Sequence, residues 1–171
     1  MKQLVPSAIA LFLLVVIVWL VYVYLYSPVT TVILVRHAER INDTDTSSIS
    51  ADGWERAGAL AIVVRETGVK HIFVTEKRRT GQTAEPAADR LNLIPSVIPA
   101  DRTPQLIDSL RTFGGEAILV VGHANTLPAI LRSLDVHEPV IIPRDVYDDL
   151  FVVTVTRFRS SIVCLKYGRP S

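Results

Sequence analysis

Two short apolar runs, each leading to a histidine, are the most informative hydrophobic pattern in the chain. Residues 32–35 lead directly into Arg36 and His37, and residues 117–121 are followed within two residues by His123. Continuous apolar runs of this length are typical of buried strands in a parallel sheet. Parallel strands end at the same sheet edge, where open α/β sheets place their ligand sites. The pattern therefore predicts that His37 and His123 face each other across a site.

Helical and extended patterns alternate along the rest of the chain. Apolar spacing predicts helices over residues 51–67, 76–91, 103–112 and 125–134, and strands over residues 71–75, 96–98, 150–158 and 161–167. Strands that alternate with helices predict a three-layer α/β/α fold with a mostly parallel sheet, and the last two strands predict a hairpin that forms an antiparallel C-terminal edge. The proline-interrupted segment 136–149 is expected to be a loop, and it is a candidate lid or rim.

A longer apolar stretch of a different kind lies near the N-terminus. Residues 4–26 contain no charge, and roughly 23 residues at about 1.5 Å each give about 34 Å of helix, enough to cross a hydrocarbon core of about 30 Å. Aromatic residues gather at its end, as in a membrane interface. This pattern predicts a single-pass membrane anchor over residues 1–27, followed by a folded domain over residues 28–171. Lys2 favours a cytoplasmic N-terminus and hence an extracytoplasmic domain.

Two other interpretations of this stretch remain open. A cleaved secretory signal would have a shorter apolar core and small residues at its cleavage site, whereas bulky Tyr and Val side chains occupy this end. A buried core helix is the second alternative. Arg36 and Arg40 follow the stretch closely and oppose the orientation above, but both are attributed to the predicted site.

Composition narrows the possible partners. The formal net charge is +1, from 18 basic and 17 acidic residues, so no overall field attracts nucleic acid or an anionic bilayer, and anion recognition must be local. Cys164 is the only cysteine, so no intrachain disulfide can form. Its thiol is expected to be inert and to lie in a strand. The four histidines lack metal-ligand spacing, so no metal site is expected.

Four motifs occur in a characteristic order. Residues 36–39 read Arg-His-Ala-Glu, residues 49–57 read Ile-Ser-Ala-Asp-Gly-Trp-Glu-Arg-Ala, residues 75–86 read Thr-Glu-Lys-Arg-Arg-Thr-Gly-Gln-Thr-Ala-Glu-Pro, and residues 122–126 read Gly-His-Ala-Asn-Thr. Together they resemble the motifs of the histidine phosphatase superfamily, the phosphoglycerate-mutase-like fold. Ala38 and Thr75 stand where the family usually has Gly and Ser, which are mild departures.

The resemblance implies a set of roles that agrees with the chemistry. Phosphoryl transfer through a phosphohistidine requires a neutral imidazole nitrogen in line with phosphorus and cations around the equatorial oxygens. In this family the roles fall to His37 as nucleophile, to Arg36 and Arg79 as phosphate ligands, and to His123 as a further donor if it is protonated. Arg78 competes with Arg79, but the spacing to the Gln-Thr-Ala triplet selects Arg79.

The remaining candidate residues are less directly specified. Arg40, Asn42 and Asn125 could add hydrogen bonds to the substrate. Family members usually supply a carboxylate general acid from the segment after the second helix, where this chain has Asp101 and Asp108. Asp101 is favoured because it lies in an irregular stretch, whereas Asp108 falls in helical register. Some small members lack the acid, which suits substrates with good leaving groups.

The expected activity is that of a membrane-anchored phosphatase that hydrolyses a small phosphomonoester by way of phospho-His37. No cofactor, metal or nucleic acid is expected to take part. Two alternatives are a mutase-type phosphotransferase, although the chain lacks the long insertions of a mutase cap, and a catalytically silent phosphate-binding module on a membrane. The substrate is left open among sugar phosphates, nucleotides, lipid headgroups and phosphohistidine proteins.

Overall fold

The computed structural model describes the backbone of residues 4–171 and the side chains of residues 9–171. In chain order the elements are α1 (Leu4–Leu25), β1 (Thr30–Arg36), α2 (Ala51–Val64), β2 (Val69–Val74), α3 (Arg78–Leu91), β3 (Ser96–Val97), α4 (Thr103–Thr112), β4 (Ala117–Gly122), α5 (Leu127–Ser133), β5 (Asp149–Val155) and β6 (Ser160–Lys166). The elements follow the predicted alternation closely and differ mainly by a few residues at their ends.

The strands form one six-stranded sheet in the order β3-β2-β4-β1-β5-β6. β1 pairs in parallel with β4, and β2 pairs in parallel with both β3 and β4. β5 runs antiparallel to β1 and forms a hairpin with β6 at the sheet edge. The predicted mostly parallel sheet with an antiparallel C-terminal edge is therefore confirmed.

Helices cover both faces of this sheet. Along β1, Val32 and Leu34 pack with α4 and α5, while Ile33 and Val35 pack on the other face with α2 and α3. The central strands are thus buried on both faces, which explains why they read as continuous apolar runs instead of alternating ones. The three-layer arrangement leaves the carboxyl ends of β1, β2 and β4 together at one edge.

The N-terminal helix overturns one part of the predicted fold. Within the residues whose side chains are described, no helix has both the length and the apolar character needed to cross a membrane. The predictions of a transmembrane helix, a single-pass membrane location and an extracytoplasmic domain are therefore wrong. Residues 1–3 of the predicted anchor lie outside the described residues.

Candidate active site

The register of two central strands places the two histidines side by side. Arg36 at the end of β1 pairs with Gly122 at the end of β4, and the backbone N–H of His37 donates to the carbonyl oxygen of Gly122 at 2.9 Å. The next residues, His37 and His123, therefore leave the same sheet edge together. Their ring centroids are 5.3 Å apart and their planes are inclined by 62°. The predicted convergence of these two strands is confirmed.

The environment of His37 selects one neutral tautomer. Its ring is buried, and Nδ1 lies 2.8 Å from the carbonyl oxygen of Ala38. Because a carbonyl oxygen only accepts hydrogen bonds, Nδ1 carries the proton and Nε2 keeps its lone pair. Burial lowers the pKa of His37 from 6.5 to about 3, with smaller contributions from the nearby His123 and arginine charges. A neutral imidazole with an available Nε2 is what nucleophilic attack requires.

Arg36 is buried beside His37 and is held by the segment 143–148. Its Nη1 donates to the carbonyl oxygens of Pro143 at 2.9 Å and Val146 at 2.8 Å. Its Cζ lies 4.0 Å from the centroid of the Tyr147 ring, in cation–π geometry. Burial lowers the pKa of Arg36, but a guanidinium remains charged in proteins.

Arg79 brings a second buried guanidinium to the site from the first turn of α3. Its Nη1 donates to the carbonyl oxygen of Asp45 at 3.1 Å. Burial, and then the charge of Arg40, lower the pKa of Arg79. The neighbouring Arg78 is exposed, so the arginine selected by motif spacing is the one that faces inward.

His123 is held by a hydroxyl group on the loop after β2. Its Nε2 lies 2.9 Å from Oγ1 of Thr75, which in turn lies 3.0 Å from Oγ1 of Thr80. Burial, followed by the charge of Arg79, lowers the pKa of His123 to about 4. The free protein therefore holds His123 neutral at pH 7, and a bound dianion would be needed to favour its protonated form.

Three buried nitrogens in this cluster have no hydrogen-bond partner among the described residues. They are Nε of Arg36, Nε of Arg79 and Nδ1 of His123. Buried polar groups in folded proteins are nearly always paired, and two of these three belong to cations. An anion with several oxygens, such as a phosphoryl group, would satisfy them. This set of unpaired nitrogens is the strongest feature of the candidate site.

Side chains of the third motif hold the loop that carries His37. Oγ1 of Thr83 accepts a hydrogen bond from the backbone N–H of Ala38 at 2.9 Å and donates to the carbonyl oxygen of Arg79 at 2.7 Å. Oε1 of Gln82 accepts from the backbone N–H of Ile49 at 3.0 Å. The Gln-Thr pair of the motif thus joins α3 to two points of the segment that follows the candidate nucleophile.

The other three candidate substrate ligands lie in the loops that follow His37 and His123. Arg40 forms an ion pair with Asp43, and its charge lowers the pKa of both Arg36 and Arg79, which places it near them. Oδ1 of Asn42 accepts hydrogen bonds from its own loop, and Asn125 is exposed in the turn after His123. Their roles as substrate ligands remain predictions.

The structure does not bring Asp101 into contact with either histidine. Asp101 is exposed in the turn before α4, and Asp108 is exposed and lies 3.7 Å from Arg111. Glu76 lies nearer to the site, since its charge raises the pKa of His123. Burial opposes ionisation of Glu76, but its hydrogen bond from the Ala100 N–H at 2.9 Å and other contacts keep its pKa below the usual range. Glu76 is therefore ionised at pH 7 and has no proton to donate.

Several residues that line or support the site were not singled out by sequence reasoning. Tyr147, whose ring centroid lies 6.0 Å from that of His37, belongs to the segment predicted as a rim. Thr80 and Thr83 are ordinary helix residues in sequence, although the latter belongs to a recognised motif. Within the described residues, no cluster of three or more His, Cys, Asp or Glu side chains could hold a metal.

Comparison with known proteins gives a resemblance to one family and a shared fold. The family model described as histidine phosphatase superfamily (branch 1) matches residues 32–107, which include His37 and Arg79. No curated protein sequence matches the chain.

Solved structures with the same fold include several phosphatases. The protein histidine phosphatase SixA, solved with tungstate, is 16% identical, with a TM-score of 0.67 over 80% of this chain and 96% of that chain. The α-ribazole phosphatase of Shigella flexneri is 14% identical, with a TM-score of 0.66 over 80% and 96%. A mycobacterial glucosyl-3-phosphoglycerate phosphatase is 12% identical, with a TM-score of 0.64 over 82% and 100%. The family model over residues 32–107 and the shared fold show that this chain is similar to the histidine phosphatase superfamily.

Proposed function

We propose that this chain is a phosphatase that hydrolyses a phosphomonoester through a phosphohistidine on His37. The observation that carries the proposal is the neutral His37, with Nε2 available, beside unpaired buried nitrogens of Arg36, Arg79 and His123. The resemblance to the histidine phosphatase superfamily supports a phosphatase in general. The residue roles and the reaction course are the parts proposed here.

In the first step, the two guanidinium groups bind the phosphoryl oxygens and balance their charge. Nε2 of His37 then attacks phosphorus in line, the N–P bond forms, and the bond from phosphorus to the leaving oxygen breaks. The leaving oxygen takes up a proton from solvent. The Nδ1–H of His37 stays bonded to the Ala38 carbonyl, which stabilises the positive charge that develops on the ring.

In the second step, water attacks the phosphorus of phospho-His37. The N–P bond breaks and its electron pair returns to Nε2, which regenerates the neutral tautomer. His123 is neutral in the free protein, so it can accept the proton that the attacking water loses. Inorganic phosphate then leaves, and His123 releases the proton to solvent.

A second candidate is hydrolysis of phosphohistidine in a protein substrate. It is favoured by the placement of Asp101 and Asp108, neither of which contacts a site histidine, because chemistry without a carboxylate acid suits a good leaving group. The fold neighbour SixA is described as a protein histidine phosphatase. Substrates compared at equal concentration, including aryl phosphate, sugar phosphate, nucleotide, lipid headgroup and phosphohistidine peptide, would separate the two candidates.

The mechanism is tested by trapping the intermediate. The reaction with p-nitrophenyl phosphate is quenched in alkali during turnover. Mass spectrometry should then find an acid-labile phosphate on the peptide that contains His37. His37→Ala should abolish both the adduct and turnover. His71→Ala is a matched control, since His71 stacks on Phe113 and pairs with Glu116.

Unchanged turnover by His37→Ala would contradict the mechanism.

The Asp101→Asn variant tests whether Asp101 is the general acid. An activity loss limited to substrates with poor leaving groups would identify Asp101 as the general acid, and unchanged activity on every substrate would favour acid-independent chemistry. Positional transfer of phosphate without release would favour the mutase alternative, and phosphate binding without turnover would favour the silent module.

A further inference from the structure

The loop formed by residues 143–148 determines which edge of the Arg36 guanidinium is free to bind a ligand. Nη1 carries two N–H groups, and both have acceptors in this loop, the carbonyl oxygens of Pro143 and Val146. Nε and Nη2 form the opposite edge, and Nε is buried without a partner among the described residues. An arginine offers a two-pronged donor edge to phosphate from Nε and one Nη. The loop therefore leaves that edge available.

The Tyr147 ring lies against the same guanidinium. The Arg36 Cζ is 4.0 Å from the ring centroid, so the ring blocks one face of the guanidinium plane. The carbonyl bonds and the ring together restrict both rotation of the guanidinium in its plane and tilting out of it. The Tyr147 hydroxyl forms no hydrogen bond with the described residues. Tyr147 therefore contacts Arg36 through its aromatic ring and not through its hydroxyl.

The loop is itself tied to the segment after β6. Oγ of Ser171 accepts hydrogen bonds from the backbone N–H groups of Tyr147 at 2.9 Å and Asp148 at 3.1 Å. The carbonyl oxygen of Asp148 accepts from the Tyr167 N–H at 2.9 Å. The buried Asp148 carboxylate also binds Nζ of Lys166 at 2.8 Å. These contacts come from residues far from the four motifs.

We propose that Tyr147 is a positioning residue that orients Arg36 toward the transferring phosphoryl group. This inference rests on the proposed function, since it assigns the free edge of Arg36 to substrate phosphate. Correct orientation increases the rate because a guanidinium that is already aligned loses little conformational entropy when the substrate binds. The contribution acts through Arg36, and Tyr147 takes no part in bond making.

The test measures kcat and KM for p-nitrophenyl phosphate and the Kd for inorganic phosphate in a set of variants. Tyr147→Ala should lower kcat/KM and weaken phosphate binding by about tenfold, the size of a partly buried cation–π contact. Tyr147→Phe keeps the ring and should restore both values to within about twofold of the parent. Phe158→Ala is the matched control, because it removes an exposed aromatic ring from the turn at the other end of β5.

A double-mutant cycle shows whether Tyr147 acts through Arg36. Arg36→Lys replaces the planar fork with a single ammonium group, so adding Tyr147→Ala to it should change phosphate binding less than about twofold. Additive losses in the double variant would overturn the inference, and so would an equal loss in Tyr147→Phe and Tyr147→Ala. Tyr147→Leu retains bulk without a ring and gives the same test should the alanine variant fail to fold.

The proposed function and this inference fail in different ways. A parent protein that neither turns over the aryl phosphate nor binds phosphate overturns the proposed function. An active parent with an unchanged Tyr147→Ala variant overturns only the role of Tyr147.

Discussion

The carbonyl oxygen of Ala38 lies 2.8 Å from Nδ1 of His37, so the residue next in sequence determines which ring nitrogen is free. The same residue is also held by Thr83, whose Oγ1 accepts from the Ala38 N–H of the preceding peptide unit at 2.9 Å. A helix residue far along the chain thus supports the residue that selects the tautomer of the candidate nucleophile.

Replacing this acceptor should affect both stability and turnover. Thr83→Val keeps the shape of the side chain but leaves the buried Ala38 N–H unpaired, which should cost about 1–3 kcal/mol of unfolding free energy. Urea unfolding measures this loss, and kcat/KM should fall with it because the His37 support loosens. Thr83→Ser keeps the hydroxyl and should retain both the unfolding free energy and kcat/KM of the parent. An equally active Thr83→Val variant would show that the loop needs no such support.

The depressed histidine pKa values predict how stability depends on pH. In the unfolded chain, His37 and His123 take up protons below about 6.5, whereas in the folded protein they do so only near 3 and 4. The unfolded state therefore binds more protons over this window, and the free energy of unfolding falls as pH decreases through it. The two histidines should remain neutral at pH 5 in the folded protein, which NMR titration of their rings can measure directly.

A comparison of urea unfolding at pH 7 and pH 4.5 isolates this effect. The double variant His37→Gln/His123→Gln should lose less stability on acidification than the parent, because it lacks both depressed groups. Equal losses would show that other groups account for the acid sensitivity.

Two glycines of α2 should respond in opposite directions to the same substitution. A Cβ on Gly53 would lie 2.4 Å from the carbonyl oxygen of Glu39 and 2.9 Å from Cβ of Ile49, whereas a Cβ on Gly58 meets nothing within 4 Å. Gly53→Ala should therefore lower unfolding free energy by about 1–3 kcal/mol through overpacking. Gly58→Ala should raise it by about 0.5–1 kcal/mol because it lowers the backbone entropy of the unfolded chain. Chemical denaturation of the two variants in parallel checks both signs.

The ion pair behind the histidine motif predicts a large loss of stability. Arg56 donates to both carboxylate oxygens of Glu39, and the side chain of Arg56 is only 3% exposed. Glu39→Ala would leave a buried guanidinium without its partner, which should cost about 3–5 kcal/mol. Glu66→Ala removes the exposed pair with Arg65 and should cost about 0–1 kcal/mol. Similar thermal unfolding midpoints for the two variants would contradict this assignment.

Some of the site could be predicted from sequence because its signals are local. The apolar runs before His37 and His123 indicate buried strands, and parallel strands bring their ends to one edge. The spacing between Arg79 and the Gln-Thr-Ala triplet distinguished a buried arginine from the exposed Arg78. The Gly in the second motif has its explanation in the close approach of Glu39 to Gly53.

Other features depend on distances between residues that no local pattern connects. The predicted membrane anchor rests on the length of an uncharged run, whereas no helix among the described residues combines the length and the apolar character that crossing a membrane requires. The place of Asp101 in an irregular stretch predicts a general acid, but the structure shows only that Asp101 is exposed, so its role stays a prediction. Periodicity cannot show where a loop leads its side chains.

The sequence alone determined the layered α/β fold, the pairing of the two histidine strands and the candidate phosphate ligands, because hydrophobic period and motif spacing follow from neighbouring residues. Tertiary structure decided the tautomer of His37, the neutral state of His123 and the free edge of Arg36. The tautomer depends on the fold of the loop that turns the Ala38 carbonyl toward Nδ1. The other two depend on burial and on contacts from distant segments, namely Thr75 and the loop that contains Tyr147.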